Sequence, residues 1–199
     1  MKDGENMQNI ITNNYSIVIM RSKRKTISMT IRPDLVVEVR APMRVSQKVI
    51  DEFISEHNNW IEKQMEKLRV SRQEAENAGI LSREQLNELA GKATEYIPKR
   101  AEYFSKIVGV SYGRITIRCQ KTKWGSCSSK GNLNFNCLLM LMPPDVTDYL
   151  IVHELCHRKE MNHSARFWAE VEKVLPDYKI QEKWLKENGG RIMMRVKGF

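Results

Sequence analysis

His153-Glu154-Leu155-Cys156-His157 forms an HExxH sequence in the last third of a chain of 199 residues. Two histidines four residues apart on an α-helix lie one turn apart on the same face, so both imidazoles can reach one metal ion. Glu154 follows His153 by about 100° of helix rotation, which brings its carboxylate toward the open side of that metal. The spacing therefore predicts a metal site in which Glu154 takes a proton from water that the metal activates.

The residues around this motif predict a buried helix over residues 145–160, with Asp145 as its cap. The four residues before the motif, 149–152, are Tyr, Leu, Ile and Val, and Leu155 and Cys156 continue the apolar character. A helix that is hydrophobic on all sides is typical of a protein interior. We therefore expect the motif to lie in a dry site.

His163 lies six residues beyond His157 and extends the motif to HExxHxxxxxH, so three of the four histidines fall within eleven residues. Asn162 tolerates the left-handed conformation that reverses a chain, which would return His163 toward the metal before Ser164 caps another helix. Three protein nitrogens and one solvent position are typical of catalytic zinc. We predict one Zn²⁺ per chain held by His153, His157 and His163, although imidazoles also accept other divalent metals.

Hydrophobic periodicity divides the rest of the chain into strands and helices. Alternation predicts strands within residues 15–45, 114–118 and 132–136, and helical spacing predicts helices over 46–68, 82–108, 164–175 and 177–187. Residues 69–79 are either a linker or an exposed continuation of the preceding helix. Ser82 and Gln85 form a capping box, and Asn188-Gly189-Gly190 ends the last helix.

These elements predict an α+β fold in which a β-rich N-terminal part and helices precede a small antiparallel sheet and further helices. We expect a β-rich region plus helix over residues 1–80 and the domain that carries the motif over residues 81–199, either as two parts or as one unit.

The composition predicts a cytoplasmic protein with no membrane partner. Hydrophobic residues make up 41% and charged residues 29% of the chain, as in globular proteins. The longest uncharged apolar run, residues 137–142, is far shorter than the roughly 20 residues that cross a bilayer. The N-terminus lacks the apolar core of a secretory signal. The four cysteines form no CxxC pair, which argues against a cysteine zinc site.

The charge of the chain favours anionic partners. Lys and Arg outnumber Asp and Glu by 33 to 24, and no acidic residue occurs between Glu102 and Asp145, where six basic residues do. Clustered basic side chains suit phosphate groups, so a nucleotide substrate and weak electrostatic binding to nucleic acid are alternatives to a peptide substrate. A solvated basic surface would give the same pattern.

Residues 121–185, which include WGSC at 124–127 and the HExxH motif, resemble the YgjP-like group of metal-dependent hydrolases, and residues 21–42 resemble it more loosely. That group is related to the SprT and WLM zincin metalloproteases. The resemblance implies a zincin-like domain with a small sheet beside the HExxH helix. It also implies that His153, His157 and His163 are metal ligands and that Glu154 is the catalytic carboxylate.

WGSC is a hallmark of the group and has two interpretations. It is either ordinary hairpin geometry or a tight turn in which Gly125 adopts a conformation that other residues resist. In zincins an edge strand pairs with an extended substrate, and residues 133–136 are the strand we expect in that role. Tyr149, Tyr178 or a basic residue of segment 114–130 could stabilise the oxyanion.

Three functional hypotheses follow from these features. The leading one is a zinc-dependent hydrolase, specifically a metallopeptidase, that uses metal-activated water with Glu154 as general base. The alternative is a metal-dependent phosphohydrolase that acts on nucleotides. A minor alternative is a nucleic-acid-associated protease, for which no helix-turn-helix, zinc-finger or RNP-type motif is present.

Overall fold

The chain divides into two units, Met1–Gln73 and Glu74–Phe199, and the first of them contains a four-stranded sheet. The computed structural model describes residues 6–11 and 15–196. The strands are β1 (Asn6–Ile11), β2 (Ser16–Ser22), β3 (Ser28–Ile31) and β4 (Val36–Pro42), in the order β1-β2-β4-β3. β2 and β4 are parallel, and both outer pairs are antiparallel. The strands predicted within residues 15–45 are confirmed.

Two helices follow this sheet, where the sequence predicts one over residues 46–68. Helix α1 spans Gln47–Glu56, with the Ser46 hydroxyl accepting a hydrogen bond from the Val49 N–H, and α2 spans Asn58–Asn77. The chain leaves helical geometry at His57, which has a φ of −100° and a ψ of 7°. Because α2 continues to Asn77, residues 69–77 extend that helix and do not form a linker.

The second unit begins with the long helix α3, Arg83–Val108, which confirms the predicted helix 82–108. Ser82 and Gln85 form the predicted capping box. The helix ends at Gly109, whose φ of 74° lies in the left-handed region that glycine adopts without a steric penalty.

The sheet of the second unit is mixed, so the prediction of an antiparallel sheet is wrong. Strands β5 (Ile115–Arg118), β6 (Gly125–Cys127) and β7 (Leu133–Asn136) lie in the order β5-β7-β6. β7 is antiparallel to β6 but parallel to β5, because β6 reverses the chain between them. The predicted substrate strand 133–136 is therefore the paired centre of the sheet, and β6 is an edge.

A 3₁₀ helix, Cys137–Leu141, leads from this sheet into the helix of the HExxH motif, α4 (Pro144–Cys156). Ile151, Val152 and Leu155 are completely buried, as the apolar sequence predicts. α4 follows Pro143 at its N-terminus, without a side-chain cap from Asp145, and ends four residues before the predicted boundary at residue 160.

Two more helices complete the unit, α5 (Ala165–Val174) and α6 (Tyr178–Met194). α6 passes through Gly189 and Gly190, so the predicted end at these glycines is wrong. Gly189 is buried, and a Cβ atom there would lie 3.3 Å from Nε1 of Trp124. The glycine thus lets an indole pack against the helix backbone. The α+β class is confirmed, with the HExxH helix beside a small sheet as expected for a zincin-like domain. No helix among residues 6–11 and 15–196 is long and apolar enough to cross a membrane.

Candidate metal centre

The structure brings the three predicted ligand histidines together. One ring nitrogen from each of His153, His157 and His163 lies within 4.8 Å of the other two. The Nε2 atoms of His153 and His163 are 2.9 Å apart. Nitrogens bound to one tetrahedral zinc at about 2.0–2.1 Å lie roughly 3.3 Å from each other, so a closest pair at 2.9 Å and a largest separation of at most 4.8 Å are compatible with one shared ion.

The end of α4 and the turn after it create this convergence. His153 lies in the last turn of α4, and His157 is the first residue after the helix. The turn then brings the exposed His163 back to the helix end. Asn162 does not take the predicted left-handed conformation, since Leu35 is the one described non-glycine residue with positive φ. Instead, the Asn162 side-chain oxygen accepts a hydrogen bond of 3.2 Å from the Ser164 N–H.

The protonation states of His153 and His157 suit metal binding. Nδ1 of His157 lies 3.1 Å from the carbonyl oxygen of Glu160. Because a carbonyl only accepts, Nδ1 donates and Nε2 keeps its lone pair. Burial, with smaller contributions from His157 and His163, lowers the pKa of His153 to about 3, and burial also lowers the pKa of His157. Neutral imidazoles are the form that binds metals.

Glu154, which directly follows His153 on α4, is buried, with 5% of its surface exposed. Its Oε2 atom has no hydrogen-bond partner among the described residues. Burial raises the pKa of Glu154 to about 8, and the positive charge of Lys123 partly opposes this rise. A buried carboxyl oxygen without a hydrogen-bond partner is costly in a fold, and such groups concentrate at functional sites.

Gly125 of the WGSC segment lies against Glu154. It begins strand β6 and pairs with Phe135 of the antiparallel strand β7, as the hairpin interpretation expects. Its φ lies outside the left-handed region, so the interpretation as a tight turn is wrong. A Cβ atom at position 125 would lie 2.6 Å from Oε1 of Glu154. The glycine is therefore explained by close approach and not by backbone conformation.

A comparison with known protein families identifies the family of this chain. The family described as YgjP-like, metallopeptidase domain, matches residues 25–87 and 81–188. The chain belongs to the YgjP-like family. A member of this family is a metal-dependent hydrolase of the metallopeptidase type, and it uses a divalent metal.

Two solved structures are similar to part of this YgjP-like chain. The metallopeptidase zymogen abylysin of Pyrococcus abyssi is 26% identical, with a TM-score of 0.42 over 46% of this chain and 93% of that one. The metallopeptidase zymogen jannalysin of Methanocaldococcus jannaschii is 24% identical, with a TM-score of 0.40 over 45% of this chain and 91% of that one. A search of curated proteins gives no significant match.

Two aromatic side chains, Phe167 and Trp168, pack against the histidines of this YgjP-like chain. The sequence alone did not place them at the site. Phe167 is completely buried, and its ring centroid lies 4.5 Å from that of His157 and 4.8 Å from that of His153. Trp168 stacks on His163 at 5.8 Å with an interplanar angle of 30°. Both residues lie in the first turn of α5, the helix that begins directly after His163 and Ser164, and this closeness in sequence was the available signal.

The predicted oxyanion donors occupy different environments. Tyr149 is buried, lies edge-on to His153 with 6.0 Å between ring centroids, and stacks on Tyr178 at 6.3 Å. Burial, followed by the nearby Glu182, Tyr178 and Glu154, raises the pKa of Tyr149, so its hydroxyl stays protonated and can donate. Within segment 114–130, Lys123 is the basic residue whose charge acts on Glu154.

Proposed function

We propose that this chain is a zinc-dependent metallopeptidase in which His153, His157 and His163 hold the metal and Glu154 is the general base. The observation that carries the proposal is the convergence of three imidazole nitrogens within 4.8 Å, with the buried carboxyl of Glu154 on the residue that directly follows His153. Membership of a metallopeptidase family supports the same reaction class. Three nitrogen ligands would leave one position of a tetrahedral ion for solvent or substrate.

When bound, zinc would supply a Lewis acid that polarises the scissile carbonyl and lowers the pKa of a coordinated water molecule. Each of the three histidines would contribute one ring nitrogen, and the Glu160 carbonyl fixes the tautomer of His157. The completely buried Phe167 excludes water from one side of the imidazole cluster. A dry wall of this kind strengthens electrostatic interactions within the site.

Glu154 would accept the proton of the attacking water and return it to the leaving amine. Oε2 is the atom available for this proton, because it has no partner among the described residues. Because burial raises its pKa to about 8, Glu154 can hold a proton close to neutral pH. Both transfers need a group whose pKa lies near the working pH.

The edge strand β6 is our candidate for pairing with an extended peptide substrate. It bonds to β7 on one side, and the sheet order leaves its other side without a strand among residues 6–11 and 15–196. Gly125 of this strand lies beside Glu154, so a peptide paired there would lie close to the catalytic carboxyl. Main-chain hydrogen bonds would then provide much of the substrate affinity.

A comparison of Glu154→Gln with the wild type tests the proposal. We expect zinc-loaded wild type to cleave an unfolded polypeptide and to lose this activity with a chelator. Glu154→Gln should lose roughly 100- to 10,000-fold in turnover, the usual contribution of a general base, while its zinc content stays unchanged. Glu172→Gln, an exposed substitution on α5, is the matched control and should keep full activity.

Nucleoside triphosphates, assayed in parallel, separate the peptidase from the phosphohydrolase. The positive charge of Lys123 acts on Glu154, and a basic side chain at this place would also suit a phosphate substrate. If the protein hydrolyses triphosphates in a chelator-sensitive reaction and cleaves no polypeptide, the peptidase proposal is refuted and the phosphohydrolase takes its place. Normal polypeptide cleavage by Glu154→Gln would refute the role of Glu154.

A further inference from the structure

Strand β6 passes so close to Glu154 that position 125 has no room for a side chain. A Cβ atom on Gly125 would lie 2.6 Å from Oε1, 2.8 Å from Cγ and 3.0 Å from Cδ of Glu154. Non-bonded carbon atoms prefer separations of about 3.5–4.0 Å. Even the smallest side chain would therefore have to displace either the strand or the carboxyl.

Hydrogen bonds hold strand β6 in place. Gly125 pairs with Phe135 in β7, and the Trp124 carbonyl accepts a hydrogen bond of 2.8 Å from the Asn136 N–H. The Asn136 side-chain amide donates to the Lys123 carbonyl at 3.0 Å. Asn136 is 1% exposed, so these bonds lie in the interior, where breaking them is costly.

Glu154 cannot simply rotate its carboxylate away from an added methyl group. Cγ is one of the atoms that the Cβ would meet, and a rotation about the last bond leaves Cγ where it is. The residue is 5% exposed, and its neighbours Val152 and Leu155 on α4 are completely buried. A new rotamer would therefore have to enter a packed interior.

We propose that Gly125 is a positioning residue: its missing side chain forms the slot that holds the Glu154 carboxyl in one position. The functional part of this inference rests on the proposed role of Glu154 as general base. The slot explains why WGSC has glycine at a strand position whose backbone conformation is open to any residue. Alanine at position 125 would therefore act through the contact of its methyl group with Glu154 and not through the backbone conformation.

A double-mutant cycle in the metal-free protein tests the slot without any activity. In the wild-type background, Gly125→Ala should lower the urea midpoint of unfolding by on the order of 1 M. In a Glu154→Ala background the added methyl group meets no carboxyl, so the same substitution should leave the midpoint nearly unchanged. An equal loss in both backgrounds would overturn the proposal.

Kinetics of the zinc-loaded protein test the consequence for catalysis. Gly125→Ala should lower kcat at least roughly 10-fold with KM and zinc affinity unchanged, because the displaced group acts on bond cleavage and not on binding. Adding Gly125→Ala to Glu154→Ala, which has no carboxyl group to displace, should cause no further loss of kcat relative to Glu154→Ala alone. Gly91→Ala and Gly190→Ala, whose Cβ atoms would meet nothing within 4 Å, are the controls.

The two experiments separate the slot from the proposed function. If Gly125→Ala lowers the urea midpoint only when Glu154 is present, and the protein cleaves no peptide, the slot is supported and the peptidase is refuted. Full kcat in Gly125→Ala, in an enzyme that needs Glu154, would overturn the positioning role.

Discussion

Glu154 should make the metal-free protein less stable as pH rises from 6.5 to 8. Burial raises the pKa of this carboxyl from 4.5 to about 8 in the folded state, so folded protein keeps a proton that the unfolded chain releases. Stability from this group is fully present below pH 4.5 and is lost as pH rises through 8. Glu154→Gln cannot ionise and should lack this loss.

The size of the effect follows from the two pKa values. One pKa unit corresponds to about 1.4 kcal/mol, so the whole shift is worth about 5 kcal/mol, of which about 2 kcal/mol falls between pH 6.5 and 8. His153 acts in the opposite direction, because its pKa falls from 6.5 to about 3. Its contribution is present above pH 6.5 and is lost as pH falls toward 3. Glu154 therefore dominates between pH 6.5 and 8.

Urea unfolding in the presence of a chelator, followed by tryptophan fluorescence, measures this difference. Wild type should lose about 2 kcal/mol of unfolding free energy between pH 6.5 and 8, whereas Glu154→Gln should change much less. Glu172→Gln, which alters an exposed carboxyl, should follow the wild type. Equal losses in wild type and Glu154→Gln would show that Glu154 ionises normally and would refute this reasoning.

Three further substitutions test the surroundings of the site. Ser82→Ala removes the capping box of α3 and should cost about 1 kcal/mol in urea unfolding, and an unchanged midpoint would contradict this. Phe167→Ala empties a completely buried position and should cost about 3–5 kcal/mol in the same assay, and a loss below about 1 kcal/mol would contradict its packing role. Trp168→Ala removes the ring stacked on His163 and should weaken zinc binding roughly 10-fold by calorimetry, whereas unchanged affinity would exclude a positioning role.

Local sequence spacing predicts the metal cluster because its geometry is itself local. His153 and His157 are one helical turn apart, and a short turn returns His163, so the three fall within eleven residues. Capping chemistry likewise predicts the start of α3 at Ser82, since the capping residues are neighbours in sequence.

Features that depend on distant residues were not accessible from local pattern. Gly189 looks like a helix end, but α6 continues through it, and the indole of Trp124 lies where a side chain at this position would point. The role of Gly125 depends on Glu154, 29 positions later, so no turn rule could identify it. The order of the sheet depends on pairing between strands, which alternation along a single strand does not specify.

Zinc titration of the metal-free protein by calorimetry tests the proposed centre most directly. We predict one zinc ion per wild-type chain and at least a roughly 100-fold weaker affinity in His163→Ala, with His57→Gln as the control because His57 lies outside the cluster. Unchanged zinc affinity in His163→Ala, or no binding to the wild type, would contradict a metal site built from His153, His157 and His163.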